Sequence, residues 1–213
     1  HAGPAVANCG DVKRDEAYIE TFIAACVRAF CGAVRRMEEA EIGFASVFEG
    51  EVGFNRRVMM RDGSSRCQQF FAGDPDCLCI EGPMDPEVAV LAARRPGGEL
   101  LGCVVNFACH PTHHGGGTAL SGGFPGLVCR TMKDRGCPVT LYLNGAGGNI
   151  ITHNFVTGRS VSMEEAAERL SADVSAALAK TIVRPDPALA AVSTTVALPY
   201  RQPTPEEIAG TIP

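Results

Sequence analysis

LLGCVVNFACHPT, residues 100–112, is the stretch that decides the fold. Its first nine residues, 100–108, make a continuous apolar run of the kind found in a strand covered on both faces. His110 stands just past the end of that run. Upstream, Pro96-Gly97-Gly98-Glu99 is a tight connection, so residues 88–92 become the hairpin partner. Downstream, VTLYL at 139–143 reads as a second buried strand and runs directly into Asn144-Gly145-Ala146-Gly147-Gly148-Asn149. Between the two strands lie a glycine-rich loop over 111–125 and a short helix over 126–133.

Farther out, Ile19, Phe22, Ile23, Cys26, Val27, Phe30 and Val34 recur at the spacing of an amphipathic helix, predicted over 16–39 and expected to lie on the sheet. Residues 42–48 alternate as a strand, whereas 50–62 read as a basic, loop-like segment that ends in an Asp62-Gly63 turn. Ser162-x-x-Glu165 is a capping box, and it opens a helix to about Lys180 with Leu170, Val174 and Leu178 at helical spacing. Residues 191–198 read as a last strand. The fold class expected from this order is α/β, with a central, mostly parallel or mixed sheet and helices on both faces. Such sheets place their sites beyond the carboxyl ends of strands, which selects the loops after 108 and after 143.

Composition narrows the function classes. The 213 residues suffice for one α/β domain or a large piece of a bigger one. A net charge of -5, with basic residues scattered as Arg35-Arg36, Arg56-Arg57 and Arg94-Arg95, argues against nucleic acid as a partner. No run approaches the roughly 18 consecutive apolar residues of a membrane span, so no transmembrane segment is expected. The ten cysteines follow no repeating spacing; Cys26, Cys31, Cys103, Cys109 and Cys129 sit among apolar neighbours and are expected as buried thiols. Cys77-x-Cys79 lacks the second pair of a zinc ribbon. His1 in place of Met, with no basic start or apolar run behind it, and the interrupted helix start near Pro205 give both ends the look of cut ends.

Four of the five histidines, His1, His110, His113 and His114, lie in strand-exit or terminal loops. A neutral imidazole is the commonest metal ligand and titrates near physiological pH. His110 is the strongest candidate because of its place after a buried strand; His113 and His114 read as solvent-facing. Pro111 and the glycines behind it exclude a helical metal pair between His110 and His114. Gly145, Gly147 and Gly148 could turn backbone amides toward an anion, giving a phosphate- or nucleotide-binding loop, or could simply make a tight turn. Arg56 could clamp a carboxylate or polarise a carbonyl, or sit solvated on its loop. No G-x-S-x-G elbow occurs, so a serine hydrolase of that kind is not supported.

Five segments in order resemble the N-terminal catalytic domain of the neutral/alkaline non-lysosomal ceramidases. His1-Ala2-Gly3-Pro4 resembles the end of T-H-T-H-[SA]-G-P, and Asn55-Arg56-Arg57 the family's N-R segment. NFACHPT at 106–112 is similar to its metal-histidine strand, LSGGFPG at 120–126 to I-S-[AG]-D-x-x-G, and YLNGAGGNI at 142–150 to N-G-A-x-G-D-[VI]. The resemblance implies a single, incomplete catalytic domain over 1–213, Zn2+ as cofactor, and a small-molecule or lipid amide as substrate. It implies His110 as a zinc ligand, His1 near metal and substrate as a proton-transfer group, Arg56 against the substrate or its oxyanion, and Asn144 and Gly145 as substrate-binding residues. The remaining Glu and Tyr ligands of the family would lie beyond Pro213. Three positions depart from the pattern: Ile151 replaces the serine, Gly123 the aspartate of I-S-x-D, and Asn149 the aspartate after the second glycine. These departures also leave room for a non-catalytic relative that binds a ligand or partner.

Overall fold

The computed structural model describes residues 4–8, 10–67, 72–113, 120–200, 202–205 and 208–209. In chain order the elements are α1 (Glu16–Arg35), β1 (Glu41–Phe48), β2 (Phe54–Asn55), β3 (Arg57–Met60), β4 (Ser65–Cys67), β5 (Cys77–Ile80), β6 (Glu87–Arg94), β7 (Leu100–Phe107), α2 (Gly123–Asp134), β8 (Thr140–Asn144), β9 (Ile150–Ile151), α3 (Met163–Lys180) and β10 (Ile182–Arg184). The fold is α/β, and its main sheet is mixed. Five strands lie in the order β10-β1-β6-β7-β8, antiparallel throughout except for the parallel β7–β8 pair.

The hairpin β6–β7 forms where the sequence places it, and the reason is local. Gly97 and Gly98 take φ of 105° and 99°, a region closed to most side chains, and Gly98 N–H closes the turn on the Arg95 carbonyl at 2.9 Å. Returning parallel from β7 to β8 needs a crossover, and α2 supplies it. Both helices of the C-terminal half pack on one face of the sheet. Phe124, Val128 and Met132 from α2 and Leu170, Val174, Ala177 and Leu178 from α3 share one core with Val88, Val90, Ala92, Cys103, Val105 and Phe107. The Ser162 hydroxyl accepts from Glu165 N–H at 3.0 Å, as the capping box requires.

The opposite face carries exposed apolar side chains, among them Phe44, Leu91, Leu141 and Ile182. Helix α1 does not lie on it, contrary to the sequence expectation: α1 buries none of its residues, and Phe30 is 71% exposed. The periodicity correctly identifies the apolar stripe of α1 but carries no information on what covers it. By length and composition alone, this 20-residue helix is also long and apolar enough to cross a membrane, a test that the uninterrupted-run criterion had not met. Glu20 and Arg28 interrupt its apolar sequence.

Three other expectations change. Residues 191–198 form no strand; they are irregular and exposed, and a β-rich composition is not by itself a strand. The segment 50–62 is not a plain loop, since it contains β2 and β3. Strand β3 pairs with β4 and β5 in a small separate sheet built on Val58 and Met60. Of the cysteines, Cys103, Cys109 and Cys137 are buried and Cys129 is half-buried, whereas Cys26 and Cys31 are exposed along with the rest of α1.

A half-buried carboxyl on α3, Asp173, stands near the buried Glu49 that follows β1. Burial first, and then the neighbouring Glu49, push the Asp173 carboxyl up to about 6, with Arg169 opposing. Asp173 therefore binds its proton more tightly in the folded chain than at its ordinary value of 3.8. The sign follows: the stabilisation is present at low pH and is lost as pH rises across the window from about 4 to about 6. Asp173→Asn, which keeps a donor toward Glu49, is expected to raise the thermal midpoint above that of the unmodified chain at pH 7.5 and to match it at pH 4. Parallel midpoint-versus-pH curves for the two proteins would refute this.

Candidate functional site

The site is built by register. Strands β7 and β8 run parallel and end together, with Phe107 opposite Asn144. Their two exit loops, ACHPT and NGAGGN, are thus forced side by side at the carboxyl end of the sheet. The contact is backbone on backbone. A Cβ on Gly145 would lie 3.1–3.2 Å from Ala108 N, Cα and Cβ, and one on Gly147 would lie 3.0–3.2 Å from Cys109 N, C and Cα. Glycine is required at both places by this approach, independent of any ligand.

Strand β9 ties a third segment in. Asn55 pairs with Ile150 and Phe54 with Ile151, and Arg56 N–H donates to the Asn149 carbonyl at 2.8 Å. The next carbonyl, Ile150, accepts from His110 N–H at 2.9 Å. Arg56, His110 and the 144–149 loop, distant in sequence, thus converge through consecutive backbone groups.

His110 is half-buried, and its ring orientation is set from behind. Nδ1 lies 2.7 Å from the Gly147 carbonyl oxygen. A carbonyl only accepts, so Nδ1 carries the proton and donates. Nε2 then holds the ring's lone pair, the arrangement found in metal-ligating imidazoles, whose second nitrogen donates to a carbonyl or carboxylate. The adjacent Cys109 is buried, and burial pushes its thiol up to about 12, so it packs as a small hydrophobe.

The other candidates fall out as follows. Arg56 is half-buried, Asn144 is exposed at the end of β8, and Gly145 donates its N–H to the Phe107 carbonyl at 3.0 Å. Gly147 N–H donates to the Gly145 carbonyl at 2.7 Å. With both amides spent on carbonyls, the loop has fewer donors for a phosphate than its glycine content suggested. His113 is not simply solvent-facing: its Nε2 lies 2.9 Å from the Val161 carbonyl and its ring meets Phe124 edge-on at 5.9 Å. His1 and His114 lie outside the described residues. Among the described residues, no group of three or more His, Cys, Asp and Glu is placed to hold a metal, Cys77 and Cys79 included.

The sequence reading quoted Asn55 only as part of the Asn55-Arg56-Arg57 segment and gave it no role. It is buried; its Oδ1 accepts from Arg57 N–H at 3.0 Å and its Nδ2 donates to the Pro83 carbonyl at 3.3 Å. These bonds shape the turn that presents Arg56. The departures also acquire a physical setting: Ile151 is buried in the β2–β9 pair, and Gly123 has φ of 60°, which an aspartate would adopt only with strain.

No family model matches the chain, and no curated protein is similar to it in sequence. Similarity to solved structures is clear at the level of fold. The neutral ceramidase of Pseudomonas aeruginosa superposes with a TM-score of 0.60 at 18% identity, over 78% of this chain and 27% of that one. A ceramidase complexed with C2 superposes with a TM-score of 0.60 at 17% identity, over 78% of this chain and 26% of that one. The chain therefore spans about a quarter of the length of the solved ceramidases it matches, and it shares the fold of that part.

Proposed function

We propose that the protein containing this chain is a zinc-dependent hydrolase of an amide bond, with N-acyl lipids of the sphingolipid type as the substrate class. The observation that carries the reading is the His110 ring, held through Nδ1 by the Gly147 carbonyl, at the meeting point of two strand exits. The ceramidase fold supports it. The donor chemistry of His110 fits zinc, and His1 would stand near the metal as a second imidazole. When bound, zinc would supply a polarised carbonyl and a water with a pKa lowered to about 7.

The chain's own residues would do the rest. His110 holds its lone pair in a fixed direction. Arg56, anchored through Asn149, offers the planar donors of a guanidinium to the oxyanion that develops at the amide carbon. His1 would carry a proton to the leaving amine. Asn144, exposed at the strand end, and Gly145, with its amide already donated, would line the substrate as side chain and as shape. No serine is needed for this chemistry, which accommodates Ile151.

The test uses the full-length protein. About one zinc per chain is expected, with fatty-acid release from a panel of ceramides and simpler N-acyl amides that is lost on chelation and restored by zinc. Turnover indifferent to chelation would end the zinc reading. Stoichiometric zinc with no turnover on any substrate would favour the second reading, a ligand-binding relative, to which the buried Ile151 and the backbone of Gly123 point.

A further inference from the structure

We propose that Cys103 and Cys137 are an oxidisable dithiol, a modification site that closes to an intramolecular disulfide on exchange with a low-molecular-weight disulfide. The two sulfurs lie 3.6 Å apart, and both side chains are buried. The backbone holds them there: Cys103 N–H donates to the Val139 carbonyl at 2.9 Å, and Cys103 pairs with Thr140 across β7 and β8. Thr140 Oγ1 lies 3.4 Å from the Cys137 sulfur and donates to it. Neither residue takes part in the site around His110.

The pair is asymmetric. With Cys103 as the donor of the S–H···S contact and Thr140 donating as well, the thiolate is favoured at Cys137 against its burial, while the same contact and burial hold Cys103 protonated. Cys137 is thus the attacking sulfur. It also has a way out, since it sits in a short turn between α2 and β8 whose neighbours Arg135, Gly136, Pro138 and Val139 are all exposed. Local opening of that turn exposes Cys137 without unfolding the sheet.

The exchange balances. The Cys137 thiolate attacks one sulfur of oxidised glutathione, that S–S bond breaks, and one glutathione leaves as a thiolate. Cys103 then gives up its proton, and its sulfur attacks the Cys137 sulfur of the mixed disulfide; the second glutathione leaves. Two protein thiols are oxidised by two electrons, and one glutathione disulfide is reduced to two thiols. The new bond closes the segment from β7 to β8 that carries His110 and α2.

The experiment needs no variant to begin. The folded chain is treated with oxidised glutathione, remaining thiols are alkylated under denaturing conditions, and peptides are mapped without reduction. The expected result is a peptide linking Cys103 to Cys137, about 2 Da lighter than the two reduced peptides together and reversed by dithiothreitol. In Cys103→Ser, Cys137 is expected to stop at the glutathione adduct. The exposed Cys67 and Cys79 report that the oxidant acted. Adducts at those positions with Cys103 and Cys137 both alkylated would overturn the proposal, as would a cross-link from Cys137 to Cys129 instead.

Discussion

His110→Ala in the full-length protein is expected to remove zinc and to lower amide hydrolysis by more than about 100-fold, since loss even of a residue supporting a metal ligand costs about 10–100-fold. The fold should survive, because the substitution leaves the main-chain bond from His110 N–H to Ile150 intact while removing the ring contact to Gly147. Metal content and initial rate are read on one preparation, with circular dichroism as the check on folding. A folded variant that keeps both its zinc and its rate would remove His110 from the mechanism and leave the ceramidase likeness as one of fold alone.

The strands that make the site were legible because each announces itself twice, by an apolar run and by the turn chemistry beside it. The segment 100–108 needed no partner to be recognised, and Pro96-Gly97-Gly98-Glu99 fixed its pairing with the strand before it. The observed β7 and β8 differ from those readings by a residue at one or both ends. The small β3–β4–β5 sheet was illegible for the converse reason. Its strands, RVMM, SRC and CLCI, are short and without clean alternation, and among the described residues its core is Val58 and Met60 with Cys77, Phe155 and Val156 packed against them. Residues 191–198 show the opposite error, a good strand composition in a segment that pairs with no strand.

For the site, sequence could rank His110 but not explain it. Its orientation depends on a main-chain oxygen of Gly147, and no residue type encodes a carbonyl. Arg56 could be read either as a clamp or as a solvated side chain until the resemblance favoured a role, and what ties it to the site is again backbone, through Asn149. The cover of α1 marks the limit most clearly. The stripe from Ile19 to Val34 is readable to the residue, yet whether it meets a sheet, a membrane or another surface depends on something outside the helix.

Gly147→Ala tests the backbone approach on which this geometry rests. The added Cβ would sit 3.0–3.2 Å from main-chain atoms of Cys109, and main chain at a strand exit cannot rotate away as a side chain can. Relieving the overlap by a few tenths of an ångström is expected to cost about 1–3 kcal/mol, lowering the thermal midpoint by roughly 2–10 °C for a chain of this size. The movement also draws the Gly147 carbonyl from His110 Nδ1, so zinc affinity should fall with stability, by about 10-fold or more. Gly148→Ala is the control, because a Cβ there meets nothing within 4 Å and Gly148 is one residue away in the same loop. Equal melting of the two variants would mean that the loops do not approach as closely as the β7–β8 register requires. A selective loss in Gly147→Ala would show that Gly147 is there to let one strand exit lie against the other, with the orientation of His110 as the consequence.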